Sequence, residues 1–295
     1  MALVATLVAN PSNPVVTEDL VSRLSGAAQT ERTNWLATGI AADLVLSEGA
    51  DGAAAESALR ATIGPLPVDV VVQDAATRRK KALLADMDST MIGQECIDEL
   101  AAEVGLKDKV AAITARAMNG EIEFEPAVRE RVALLKGLSI GIVDEIIEKR
   151  ITLTPGGRTL IATMKANGGY AALVSGGFTV FTSRIAAMLG FDENRANILL
   201  EDGGKLTGHV ADPILGREAK VEALHDVAAK RGISVADVMA VGDGANDLGM
   251  IKLAGSGVAL HAKPKVAAEA SIRIDHGDLT ALLYIQGYRQ EDFAP

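Results

Sequence analysis

The chain has little cysteine, few aromatics and a shortage of positive charge, and each shortage closes off a class of protein. A single cysteine, Cys96, in 295 residues excludes an internal disulfide framework and suits a reducing cytoplasm. In "ECIDELAAEVG" it reads as a small buried helix residue. Five Phe, three Tyr and one Trp leave the cores to be built from Ala, Val, Leu and Ile. Basic residues are outnumbered 29 to 39, a formal charge of −10, which argues against a nucleic-acid or anionic-membrane partner. An anionic substrate would then need a local cluster of positive charge or a bound cation. Long apolar runs are missing as well. "MALVATLVANP" has no basic lead and is broken by Pro11 after about ten residues, so it reads as a strand rather than a signal peptide or membrane span. The four histidines, at 209, 225, 261 and 276, have no metal-ligand spacing and give no sign of zinc. Neither internal repeats nor low-complexity tracts occur.

Residues 1–76 read as a small separate module. "ALVATLVAN" is a strand and "TEDLVSRLSG" a helix with Thr17 at its cap. "NWLATGIAADLVLSEG" gives two short strands broken near Gly39, "AAAESALRATIG" a second helix and "VDVVVQD" a last strand. This βαββαβ order fits a ferredoxin-like α+β unit, similar to the ACT-type regulatory domains in element order. Element order alone does not assign it a ligand. Such modules often pair edge strands, which makes a homodimer an expectation open to test. The polar, basic "QDAATRRKK" then serves as a linker.

Beyond Lys81 the rhythm changes. "KALLAD", "YAALVSG", "DVMAVGDG" and "GVALH" are short apolar runs, each followed by a turn, as expected of parallel strands buried on both faces. Helical segments such as "GGRTLIATMKANGG" and "AKVEALHDVAAKRG" separate them, so the expected fold is α/β, a Rossmann-like parallel sheet with helices on both faces. One gap is too long for a crossover. The stretch between Asp86 and Pro155 keeps helical periodicity in "QECIDELAAEVG", "DKVAAITARAMNG", "EFEPAVRERVALLKGL" and "SIGIVDEIIEKR", and a structureless loop of that length is improbable. It reads as a helical cap insertion over the strand ends, residues 93–151, on a core of residues 77–92 and 152–295.

Three of the strands end in groups that phosphate chemistry uses. "DMDST" places Asp86 and Asp88 two residues apart, so on an extended chain they converge on one side; taken alone, D-x-D favours a plain turn. "VSGGF" puts Ser175 and Gly176 before a helix, where hydroxyl and backbone N–H groups can cradle an anion, though a tight strand-to-helix turn would look the same. "VGDGANDLGM" ends a strand at Asp243 and opens a helix at Asp247; Asn246 or Asp247 would serve as a helix cap, and the two aspartates also fit a Mg²⁺ site of few carboxylates and several waters. Lys220, in "REAKVEAL", is either a solvated helix lysine or the positive charge a transferring phosphoryl group needs.

In this order, D-x-D-S-T, S-G-G, Lys and G-D-G-x-N-D resemble the haloacid dehalogenase superfamily across roughly Lys81 to Gly287. "DMDSTMIGQECIDELA", "FEPAVRERVALLKGL", "LVSGGF" and "VGDGANDLGM" are similar to its phosphoserine phosphatase family. The resemblance implies hydrolysis of O-phospho-L-serine through an aspartyl-phosphate, with Asp86 as nucleophile and Asp88 as acid and then base. It implies Mg²⁺ held by Asp86, the backbone carbonyl of Asp88, and Asp243, phosphoryl contacts from Ser175, Gly176 and Lys220, and support from Asn246 and Asp247. In the cap it implies Glu95 for the substrate ammonium and Arg131 for its carboxylate, with Met118 and Phe124 closing over them. Read without the resemblance, Glu95 is a first-turn helix acid, Arg131 a surface charge, and Met118 and Phe124 core residues. Another small phosphomonoester, such as homoserine phosphate, and a catalytically dead sensor are the competing functional readings.

Overall fold

The computed structural model describes residues 2–118 and 121–295, with Met118 traced by its backbone alone. The first unit is built from β1 (Leu3–Ala9), α1 (Glu18–Ala27), β2 (Thr30–Ala37), β3 (Ala41–Leu46), α2 (Gly52–Ile63) and β4 (Val68–Asp74). Both helices start on side-chain caps: Thr17 accepts from the Leu20 N–H, and Asp51 from those of Ala53 and Ala54. The strands form an antiparallel sheet in the order β2-β3-β1-β4. Period-two alternation gives that sheet two apolar faces. Ala5, Leu7, Val68 and Val70 pack under α1 and α2, while Val8 and Val71 turn outward and join the core of the larger unit. Asp69 fixes the contact by accepting from the backbone N–H groups of Asp275 (2.8 Å), His276 and Gly277 (2.7 Å).

After β5 (Ala82–Ala85) comes the cap, formed by α3 (Cys96–Glu103), α4 (Lys107–Met118), α5 (Phe124–Ala133) and α6 (Ile142–Lys149). The chain returns through α7 (Gly157–Ala166), β6 (Tyr170–Phe178), α8 (Thr179–Leu189), β7 (Glu193–Asn197), β8 (Leu199–Asp202) and β9 (Lys205–Val210). It ends with α9 (Arg217–Arg231), β10 (Val238–Gly242), α10 (Leu248–Leu253), β11 (Ser256–Leu260), α11 (Pro264–Glu269), β12 (Ile272–Ile274) and α12 (Ala281–Tyr284). The large sheet is parallel, in the order β12-β11-β10-β5-β6-β7. Its central strands are apolar on both faces because each is covered twice. Leu83, Ala85, Leu173 and Val241 face one core, and Ala82, Leu84, Val174 and Ala240 the other. Strand order reverses between β5 and β10, and at such a switch point the carboxyl ends of strands leave a crevice. No helix among the described residues is long and apolar enough to cross a membrane.

Backbone bonds tie the cap at two places, and the Asp144–Arg184 and Arg129–Asp212 ion pairs add to them. Its entry and exit segments are laced together: Gly93 donates to the Thr152 carbonyl (3.0 Å), Thr154 to Met91 (3.0 Å), and the Gln94 amide exchanges bonds with Thr152. At its far side the β8–β9 hairpin bonds to the segment after α5, with Gly137 donating to Leu206 (2.8 Å), Leu206 to Leu138 (2.8 Å) and Ile140 to Gly204 (3.0 Å). The sequence reading lacks β7, β8, β9 and β12, which are short and lie at edges. The signal for the hairpin is present, since Gly203 and Gly204, both at positive φ, sit between its strands.

Candidate active site

Asp86 stands one residue past β5 and is held in line with β10, its N–H donating to the Val241 carbonyl at 3.0 Å. Lys220 reaches it from the first turns of α9, with Nζ 2.6 Å from Asp86 Oδ1 and 2.5 Å from Asp247 Oδ1. Asp247 Oδ2 accepts from the Gly244 N–H at 2.9 Å, and Gly242 must be glycine because a Cβ there would run into the Asp247 carboxylate. All three charged groups are buried. The neighbouring carboxylates, Asp247 before Asp86, keep the Lys220 ammonium protonated against the pull of burial. Burial and then Asp247 push the Asp86 carboxyl up, with Lys220 opposing.

Asp86, Asp243 and Asp247 each bring a carboxylate oxygen within 4.8 Å of the others. When ionised, the three carboxylates outnumber the buried Lys220 ammonium and the half-exposed Lys263, whose Nζ lies 3.9 Å from Asp243 Oδ2, and the remaining negative charge is one that a cation would offset. The donors are all hard oxygens, a set that suits Mg²⁺ and not zinc. Burial, followed by Asp247, pushes Asp243 up to about 6, as expected of a carboxylate awaiting a cation. Asp247 supplies the third carboxylate of this trio.

Asp88 points the other way, toward the cap. Its Oδ1 accepts from the N–H of Cys96 at 3.3 Å, the first residue of α3. Its Oδ2 lies against Gly177, where a Cβ would sit 2.9 Å from it. Burial and then Glu95 push its carboxyl up to about 7. Ser175 is buried at the end of β6, and its Oγ accepts from the Gly177 N–H at 2.8 Å. Here the structure differs from the sequence expectation. The strand runs on to Phe178 and α8 starts only at Thr179, so Ser175 and Gly176 sit on an extended strand end and not at a helix N-terminus. The pairing register with β7 breaks between Val174 and Phe178, which opens the cradle.

Above this floor, Ser89 in the left-handed region (φ 56°) turns its hydroxyl to donate to Glu95 Oε1 at 2.8 Å. Arg131 is half-buried; its Nε donates to the Ala127 carbonyl (3.1 Å) and its Nη1 to Thr114 Oγ1 (3.2 Å). Asp98, Glu95 and Asp88 surround it with negative charge. The Phe124 ring lies across Gly176 and Gly216, close enough that Cβ atoms there would approach it to 3.4 and 3.1 Å. Asn246 is half-buried beside Gly244. The Met118 side chain lies outside the described residues. The structure thus gathers Asp86, Asp88, Asp243, Asp247, Lys220, Ser175, Gly176 and Asn246 at the strand ends, with Glu95, Arg131 and Phe124 over them. Sequence reasoning missed Asp98 and the Cys96 amide, which have no motif of their own; a helix N-terminus eight residues after Asp88 was the available sign of the second.

Residues 83–252 match the haloacid dehalogenase-like hydrolase family. The chain belongs to that family. As a haloacid dehalogenase-like hydrolase, it is 44% identical over 223 residues to the phosphoserine phosphatase of Polaromonas sp., covering 74% of this chain and 94% of the relative. It is 41% identical over 238 residues to that of Streptomyces coelicolor, covering 80% of this chain but only 58% of the relative's length. Among solved structures, a phospho-aspartyl intermediate analogue of phosphoserine phosphatase superposes with a TM-score of 0.65 at 44% identity, over 70% of this chain and 98% of that one.

Proposed function

We propose that this hydrolase converts O-phospho-L-serine to L-serine and phosphate, the last step of serine biosynthesis, in a reducing cytoplasm. The observation that carries the reading is the stacking of two charge sets. A buried carboxylate–lysine floor stands beneath a cap that offers an acid, Glu95, and a guanidinium, Arg131, which are the two charges an amino-acid zwitterion requires.

Asp86 attacks phosphorus in line, forming an Asp86 Oδ–P bond as the P–O bond to the serine oxygen breaks. Asp88, whose raised pKa keeps a proton available near neutrality, hands it to the departing serine oxygen. It then takes a proton from the water that hydrolyses the aspartyl-phosphate, which frees Asp86 and restores the starting state. Lys220, Ser175 and Gly176 hold the phosphoryl oxygens, and Asp247 keeps Lys220 aimed at Asp86. Asp86 and Asp243, with Asp247 or the Asp88 carbonyl, would hold Mg²⁺, which offsets the repulsion between a carboxylate nucleophile and a phosphate dianion. Glu95 and Arg131 orient the substrate from above, and the Phe124 ring over Gly176 and Gly216 excludes water.

A panel of phosphomonoesters at fixed Mg²⁺ tests this. Wild type should favour phosphoserine over homoserine phosphate and p-nitrophenyl phosphate. Arg131→Ala should lose roughly 10- to 100-fold in kcat/KM on phosphoserine, the worth of a charged hydrogen-bonded contact, while p-nitrophenyl phosphate hydrolysis holds. Equal losses on both substrates would remove the amino-acid assignment.

A further inference from the structure

Asn197, the last residue of β7, is 1% exposed and has every polar atom engaged. Its Nδ2 donates to the Gly176 carbonyl at 2.8 Å and to the Leu215 carbonyl at 3.3 Å, and its Oδ1 accepts from the Leu215 N–H at 2.7 Å. The amide is therefore fixed in one orientation, since a flip would set its NH₂ against the Leu215 N–H. One partner lies on the Ser175–Gly176 strand end. The other directly precedes Gly216, the N-cap of α9, and Lys220 follows within the first turns of that helix. The peptide plane adds direction. With the Gly176 carbonyl drawn toward Asn197, the Gly177 N–H must point the opposite way, and there it meets Ser175 Oγ at 2.8 Å.

We propose that Asn197 is a positioning residue for the phosphoryl-binding cradle. Its side chain clamps the strand end that carries Ser175 and Gly176 to the leader of the helix that carries Lys220, and so sets the span between the two halves of the cradle. The proposal rests on the reading that this cradle receives a phosphoryl group. Its physical basis is that donors placed for a phosphoryl group lose their effect with small displacements. Asn197 acts through the backbone, because its side-chain amide is fully engaged by Gly176 and Leu215 and has no polar atom left for substrate.

The test compares Asn197→Ala with Thr182→Val. Thr182 is buried, and its hydroxyl donates to Asn194 Oδ1 at 2.8 Å, three residues up the same strand. That variant therefore removes a similar bond with no link to the cradle. Inhibition by inorganic phosphate and by L-serine is measured with Mg²⁺ well below each melting midpoint. Asn197→Ala should weaken phosphate about tenfold or more and lower kcat/KM on phosphoserine alike, while L-serine, held by the cap, stays within about twofold. Thr182→Val should lower only the melting midpoint. Phosphate and serine constants that move together, or neither moving, would overturn the clamp. Should wild type hydrolyse no phosphomonoester, the functional reading falls, and calorimetry of inorganic phosphate on both variants still decides the clamp by the same ratio. Should Asn197→Ala fail to fold, hydrogen exchange of the wild-type Leu215 amide replaces it. Slower exchange at saturating phosphate supports the clamp, and unchanged exchange refutes it.

Discussion

The floor of the crevice and its roof hold charge in different ways. Asp86, Lys220 and Asp247 are 5%, 1% and 0% exposed, and each ion touches another within hydrogen-bond distance. Glu95 and Phe124, across from them, are exposed, and Arg131 is half-buried with neutral oxygens as its direct partners. Buried charges are held only with partners, and once partnered they need no reorganisation when a reaction creates new charge. Charges at a wet surface cost little to keep unpaired, so they can exchange water for substrate. On the proposed function, the comparison teaches that chemistry falls to the rigid sheet ends and selection to the cap.

The strongest way to break that division is at the nucleophile. Asp86→Asn should reduce phosphate release by about 10⁴-fold or more while the fold persists, measured by single-turnover assay beside circular dichroism; activity within tenfold of wild type would remove Asp86 from the chemistry. Lys220→Met comes next and should damage floor and fold together. It leaves Asp86 and Asp247 buried without their cation, which costs about 3–5 kcal/mol and is read from urea denaturation. Adding Asp247→Asn should return part of that loss, and no return would show that the two groups are not coupled.

A smaller effect follows from pH. In the folded chain Asp88 and Asp243 are raised to about 7 and about 6 from an ordinary 3.8, so the fold binds their protons more tightly than the unfolded chain does. Stability from these groups is complete below about pH 4 and is lost as pH rises through 6 and 7, at no more than about 1.4 kcal/mol per unit per group. With EDTA, urea midpoints should fall across this window, and Mg²⁺ should flatten the slope. Identical slopes in both conditions would deny that the floor awaits a cation. The least effect is expected at the roof's edge. Gln94→Ala removes the side-chain bonds to the Thr152 amide and hydroxyl and should cost about 1 kcal/mol, with kcat changing more than phosphate affinity.

Most of the floor was legible because strand ends leave little freedom. Polar residues right after apolar runs marked the floor, although Asp86 and Asp88 lie past the end of β5 and turn apart, one to Lys220 and the other to the Cys96 amide, against the expected convergence; Gly242 and Gly244 mark where the backbone closes on Asp247 and Asn246. The parallel core was legible from runs apolar on both faces. What stayed hidden works through partners distant in the chain. Asn197 bonds residues 21 and 18 positions away, and nothing in "NRANILL" announces a clamp. β12 has three residues, too few for periodicity. Asp247 was expected to support Lys220 and, four residues from Asp243, to face a cation; its direct place beside Asp86 as well comes from the turn after β10, whose path no spacing rule sets.

The ties on the cap also have a mechanical meaning. A body pinned at several separated places keeps its seat, and points beside a pin travel least. Glu95 adjoins the Gly93–Thr152 lacing, Arg131 lies on α5, which packs on β9, and the Asp144–Arg184 pair fastens α6 to α8 as well. The two charges proposed to meet the substrate therefore each stand beside an anchor, and the spacing between them is set by the core beneath rather than by the cap alone.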